Sequence, residues 1–337
     1  MKQTFPLLAL LIAVSGAQAQ DAKTKPAAAP KDASYLLPDG RIALHGDEAL
    51  APVIDALNAK FAETHPGTKF APMLKGSATA LPALAAGATA IGFVVGEAAR
   101  PDLRAFKAIN KHDPLGIKIG YAGYGPRAGG KTPPAVYVHS SNPLAGLTLA
   151  QLAGLFTSGS PAGDINTWSQ LGVTGAWGTR RVHLYGQRDD GDFSTSLRLA
   201  RLGGMPFAGH YEGLADDAAV LQAVAQDPYG IAIVDWAEQK PSSEGVRIVP
   251  LANDAGKPFA VPGKDDVARG VYPLTPAITL YAAHPPKQPL DPVVKDYLAL
   301  ALSDEGQAII ARFTDNATGF LPLAADDLKA QRAKLKD

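Results

Sequence analysis

Four short segments carry the residue types from which a binding site could be built. They read Gly46-Asp47-Glu48, Gly76-Ser77-Ala78-Thr79, Gly96-Glu97-Ala98 and Arg188-Asp189-Asp190-Gly191-Asp192. Glycine lets a backbone turn sharply and approach a bound group closely. Ser and Thr hydroxyls donate or accept, an ionised carboxylate only accepts, and a guanidinium only donates, as a planar fork that matches an oxyanion. A glycine and a small polar residue just ahead of a helix also leave backbone N–H groups free at the positive end of its dipole. The chemistry in common is recognition of a small polar or charged solute by hydrogen bonds. Any one of these loops, taken alone, also reads as an ordinary capped helix start.

Other chemistries find less support. His139-Ser140-Ser141 and Asp189-Asp190 offer hydrolase residue types. They lack a G-x-S-x-G turn between a strand and a helix, so no enzyme is expected. The seven histidines (positions 45, 65, 112, 139, 183, 210 and 284) never fall three or four residues apart, and there is no cysteine. No metal site and no cofactor follow from that pattern. The Asp189–Asp192 run lacks the D-x-D-x-D-G spacing of a calcium loop. With 32 basic and 32 acidic residues the net charge is zero, so nothing draws the chain to nucleic acid or an acidic surface.

The N-terminus reads as an address. Lys2, the apolar run Leu7–Val14 and the small-x-small triplet Ala17-Gln18-Ala19 make a secretory signal, cleaved after Ala19 (residues 1–19). The apolar run is too short to span a membrane. Without cysteine there is no lipid attachment and no disulfide. The destination is the periplasm, with full secretion as the alternative. Residues 20–36 are rich in Ala, Lys and Pro and read as a flexible linker.

Alternating elements must position the four loops. Arg41–His45 reads as a strand, Leu50–His65 as a helix with Val53, Ile54, Leu57 and Phe61 on one face, and Thr68–Met73 as a strand. Ser77–Ala86 reads as a helix and Ala90–Val95 as a buried strand. Strand-helix-strand order points to an α/β fold with a largely parallel sheet, whose ligands sit beyond the carboxyl ends of the strands. Further on, Ala135–His139 is a strand and Leu147–Phe156 a helix, with Thr148 and Gln151 spaced as a capping box. Trp168, Trp177 and Trp236 read as core. Tyr121, Tyr124 and His45 could line a cleft or pack. The charged stretch 324–337 reads as a solvated helix or a frayed end.

The segments NPLAGLTLAQLAGLFTSG and INTWSQLG resemble the second-domain entry of phosphate-binding proteins that serve phosphate ABC transporters. AIGFVVGEAARP, RVHLYGQRDDGDF, DPYGIAIVDWAE and GVYPLTPAITLYA resemble further pieces of that family in the expected order, from about Leu37 to Leu323. The resemblance implies a periplasmic binding protein-like (class II) two-domain clamshell with two hinge crossover strands. Residues 37–135 and 277–337 would form domain 1 and residues 136–276 domain 2, with Val136–His139 and Ile278–Ala282 as paired crossover strands. It also implies a monomer that binds an oxyanion such as phosphate between its domains, with a transporter permease as partner. The ligand-binding residues would be Gly46, Asp47, Glu48, Gly76, Ser77, Ala78, Thr79, Glu97, Arg188, Asp190, Gly191 and Asp192.

The loops depart from the family where it offers hydroxyls. Acidic residues stand at Asp47, Glu48, Glu97, Asp189, Asp190 and Asp192. Two like charges about 4 Å apart repel by about 4 kcal/mol at an effective dielectric near 20. Three such carboxylates would outweigh one guanidinium, Arg188 or Arg180. Either the acids point away from the ligand, or the cleft does not hold free phosphate tightly. In the second case the alternatives are a different solute or a structural, secretion-associated role through the surface.

Overall fold

The computed structural model describes residues 27–127, 132–236 and 244–336. Residues 1–19, read above as a secretory signal, lie outside them. The fold is a two-lobed α/β clamshell with one main sheet in each lobe. In the first, β1 (Ile42–Gly46) lies between β2 (Phe70–Leu74) and β3 (Ile91–Val95), parallel to both. Strands β4 (Leu115–Ala122), β12 (Ala277–Ala282) and β13 (Phe320–Pro322) extend it in the order β13-β4-β12-β3-β1-β2, each of the added pairings antiparallel. The second sheet runs β10-β5-β9-β7-β8, built from β5 (Pro134–His139), β7 (His183–Gln187), β8 (Tyr211–Leu214), β9 (Gly230–Asp235) and β10 (Val246–Val249). Here β7 pairs in parallel with β8 and β9, while β5 is antiparallel to both its neighbours.

Both sheets are therefore mixed, which corrects the expectation of a largely parallel sheet. In each sheet three strands form a parallel α/β unit, β1-β2-β3 in the first and β7-β8-β9 in the second, and the other strands join antiparallel. The short strands β6 (Leu147–Thr148) and β11 (Leu251–Ala252) form a separate parallel pair.

Burial follows from the two faces of these strands. On β5, Ala135 and Tyr137 face α6 (Asp217–Gln226) and its Val220, Leu221 and Val224. Val136 and Val138 join the main core with Leu152, Leu155 and Trp168. A strand covered on both sides reads as a continuous apolar run, as this one does. In the first lobe, α1 (Ala51–Thr64) packs beside α8 (Pro292–Ala301) and α9 (Asp304–Ala311). Leu81, Leu84 and Phe106, from α2 (Ala80–Ala85) and α3 (Arg100–Asn110), form a smaller cluster. The box at Thr148 is complete: Gln151 N donates to Thr148 Oγ1 at 3.2 Å and Thr148 N to Gln151 Oε1 at 2.9 Å, opening α4 (Leu149–Phe156).

Three further expectations change. Val136–His139 and Ile278–Ala282 do not pair, because β5 and β12 lie in different sheets. What crosses between the lobes is a pair of connections, β4 to β5 and β11 to β12. Gly125 N donates to Pro262 O at 2.9 Å, and Tyr272 Oη donates to Pro134 O at 2.6 Å, tying one connection to the other. Within the expected linker, Ser34 Oγ donates to Gly87 O and Tyr35 Oη to Asp291 Oδ2, at 2.8 and 2.6 Å, so contacts with the body begin before Leu36. The C-terminal stretch forms α10 (Ala325–Ala333) and is docked, with Tyr121 Oη donating to Asp327 at 2.6 Å and Gln331 buried. Tyr121 is thus a packing residue.

Burial pushes the Tyr272 hydroxyl well above its ordinary pKa, so it remains a donor at any working pH. Tyr272→Phe removes that donor from the partly buried Pro134 carbonyl. It is expected to lower the free energy of unfolding by about 1–3 kcal/mol, read from urea denaturation with an unchanged slope.

Candidate functional site

Parallel pairing of β1, β2 and β3 brings three of the four loops to one edge of the first sheet. Gly46 ends β1 at the tightest point: a Cβ there would stand 2.1 Å from Phe93 O. That close approach lets Asp47 N donate to Phe93 O at 3.0 Å, while Lys75 N and Gly76 N donate to Gly46 O at 2.9 and 3.1 Å.

The acids and hydroxyls of these loops are spent on each other. Asp47 is 9% exposed. Its Oδ1 accepts from Ala49 N at 2.9 Å, capping the turn Glu48–Leu50, and its Oδ2 accepts from Ser77 Oγ at 2.7 Å. Ser77 Oγ in turn accepts from Val95 N at 2.9 Å. Thr79 Oγ1 donates to Gly76 O at 2.8 Å. Ala78 and Glu48 lie exposed. His45 is half-buried, and burial lowers its pKa.

The fourth loop behaves the same way. Arg188 Nε and Nη2 face the two oxygens of Asp190 at 3.2 and 3.3 Å, in a pair about two-thirds exposed on both sides. A hydrogen bond and the charge of Arg188 lower the Asp190 pKa, and Asp190 raises that of Arg188. Gly191 precedes α5 (Asp192–Ala200), with Asp192 exposed in its first turn.

Glu97 is different, because its partner comes from the other lobe. Arg201, just past α5, places Nη2 3.0 Å from Glu97 Oε1. The same guanidinium donates from Nη2 to Thr275 O at 2.8 Å and from Nη1 to Pro273 O at 3.2 Å, both on the connection returning to β12. Nearby, Arg100 Nη1 donates to Gly203 O at 2.9 Å, a second contact between the lobes. Burial and then the Glu97 charge push the Tyr281 hydroxyl up to about 12.

A cavity of about 140 Å³ opens beside this ion pair. Its polar lining is Glu97, Arg201 and Ser196, and Phe193, Leu197 and Leu274 supply much of its apolar wall. Of the twelve residues expected to bind a ligand, Glu97 alone lines it. Asp47 and Ser77 are turned into loop-to-loop bonds, and Arg188 and Asp190 into a surface pair. Phe193, Ser196, Leu197 and Arg201 were missed. Their spacing of three, four and eight residues puts the first three on one face of α5 and Arg201 at its C-cap in line with them, and that stripe is the signal the sequence offers. Among the described residues no group of three or more metal-ligating side chains comes together, and no helix is long and apolar enough to cross a membrane.

Residues 17–305 match the profile of the PBP superfamily domain. The chain belongs to the PBP superfamily. Within this superfamily it is a divergent relative of phosphate-binding proteins. It is 26% identical over 289 residues to the phosphate-binding protein PstS of Pseudomonas aeruginosa, which covers 85% of this chain and 84% of that one. PstS from Borrelia burgdorferi shares the fold, with a TM-score of 0.52 at 14% identity over 83% of this chain and 98% of that one. An ABC-type phosphate transport receptor from Vibrio cholerae has a TM-score of 0.49 at 16% identity over 84% and 99%.

The bond between Asp47 and Ser77 is open to direct measurement. A double-mutant cycle with Asp47→Ala and Ser77→Ala, followed by chemical denaturation, is expected to give a coupling energy of about 1–2 kcal/mol. Additive effects would mean the two loops are not joined through these side chains.

Proposed function

We propose that this PBP-superfamily chain is the exported solute receptor of an ABC-type importer. It holds a small anionic solute between its lobes and hands it to a permease without transforming it. In this reading the signal is removed after Ala19 and the protein acts in the periplasm as a monomer. One lobe comprises residues 37–135 with 277–337, the other residues 136–276. The lobes close about the paired connections near Gly125 and Tyr272, as hinged receptors do.

The observation that carries the reading is Arg201, whose guanidinium borders the cavity and reaches from one lobe to Glu97 on the other. A cation there meets an incoming anion with a charge-assisted bond. Glu97 can accept a hydrogen bond from a solute oxygen that carries a proton, and its charge, offset by Arg201, opposes a second negative charge on the solute. Binding then depends on both lobes, which couples occupancy to closure. Inorganic phosphate is the first anion to test, because the Pseudomonas relative is a phosphate-binding protein.

The test is a thermal-shift series with phosphate, sulfate and small carboxylates, since a ligand bound only by the folded state raises the Tm. At least one anion is expected to raise it with a saturable dependence. Arg201→Ala should weaken that binding about a hundredfold. Arg188→Ala should change it by less than about threefold, because an exposed pair contributes little. No response to any anion would overturn the reading. Loss in Arg188→Ala with retention in Arg201→Ala would move the site to the fourth loop.

A further inference from the structure

We infer that the solute favoured by this cleft is a monocarboxylate with a small apolar body, of the size of 3-methylbutanoate or benzoate, rather than inorganic phosphate. The inference rests on the reading of the chain as an anion receptor and specifies its ligand.

Three observations point the same way. The first is the lining. Around the Arg201 guanidinium, the cavity wall is built from Phe193, Leu197, Ala200, Leu274, Pro134 and Pro276. Such a wall rewards an apolar body with the hydrophobic term and gives nothing to a bare oxyanion.

The second is the shortage of free donors. A phosphate dianion taken from water must have its four oxygens satisfied by donors. Gly96 N, at the cavity edge, already donates to Ala277 O at 2.8 Å. The Ser77 hydroxyl is engaged with Asp47 and Val95, and the Arg188 fork with Asp190. Arg201 spends Nη2 on Glu97 and Thr275 and one Nη1 hydrogen on Pro273. Its other two N–H groups and the Ser196 hydroxyl are the donors left beside the cavity, too few for four phosphate oxygens and enough for the two of a carboxylate head.

The third is charge. Glu97 and Arg201 together are neutral, so a monoanion brings the local sum to one negative charge and a dianion to two. The carboxylate of Glu97 opposes the second charge more strongly in a partly desolvated cleft than in water.

Size agrees. The cavity measures about 140 Å³, and an apolar protein cavity of about 150 Å³ accepts benzene. Each methylene buried there should improve affinity by a factor of about four.

Isothermal titration of the mature chain at fixed ionic strength would compare 3-methylbutanoate, benzoate, acetate, phosphate and sulfate. Expected is binding of 3-methylbutanoate or benzoate at least about tenfold tighter than acetate or phosphate. Phe193→Ala should weaken the apolar carboxylate about tenfold and leave acetate unchanged, and Phe193→Leu should restore most of the loss. Leu274→Ala provides a second wall variant, and the Tm of each ligand-free variant reports its folding. Phosphate bound more tightly than both apolar carboxylates would overturn this inference and leave the receptor reading standing. Binding of none of the five anions would remove both. Apolar carboxylate affinity unchanged in folded Phe193→Ala and Leu274→Ala would overturn the assignment to this cavity.

Discussion

A guanidinium that leaves water must recover the hydrogen bonds it loses, and Arg201 recovers them from two segments distant from it in the chain. It bonds the Glu97 carboxylate in one lobe and two carbonyls, Pro273 and Thr275, on the connection that returns to that lobe, while its own backbone follows α5 in the other. Its side chain is 21% exposed, so it is largely desolvated. The contact with Glu97 is lost if the lobes separate, whereas Pro273 and Thr275 stay within reach of Arg201. Among the described residues that line the cavity Arg201 is the one cation, and its ion pair with Glu97 forms only when the lobes meet.

The rest of the ligand-facing edge is organised so that Arg201 and Glu97 act with little competition. Asp47 would be a second carboxylate beside the cleft, but it caps a turn and accepts a hydrogen bond from the Ser77 hydroxyl. Asp190 would be a third, but it neutralises Arg188 at the surface. The tight passage at Gly46 holds these loops in register with β3, because no larger residue clears Phe93 O. An edge that looks heavily acidic in sequence thus presents one interlobe ion pair and an apolar wall.

Much of the scaffold was legible in the residues. The strands and helices around Ile42–Val95 follow from apolar spacing, and the Thr148–Gln151 box from its own two residues, because those signals are local. Where burial makes a strand a plain apolar run, its direction is not encoded, and so the mixed sheets and the separation of β5 from β12 were not foreseen. The site was less legible for a related reason. A residue's type says that it can donate or accept, but not toward whom it turns. Arg188 and Asp190 are two residues apart and could have been paired on paper. Asp47 and Ser77 are 30 apart, and Glu97 meets Arg201 only through closure of the lobes. Arg201 lies outside every loop that carried a motif, and only the stripe on α5 connects it to Phe193.

The Glu97–Arg201 ion pair spans the lobes beside the cavity, and small-angle X-ray scattering of the ligand-free chain tests most directly whether they stay closed without it. Arg201→Ala is expected to give a larger radius of gyration and a longer maximum dimension than the parent protein at the same thermal stability of each lobe. Superimposable curves for the two proteins would contradict the account, because the lobes would then be held by contacts that do not involve this side chain.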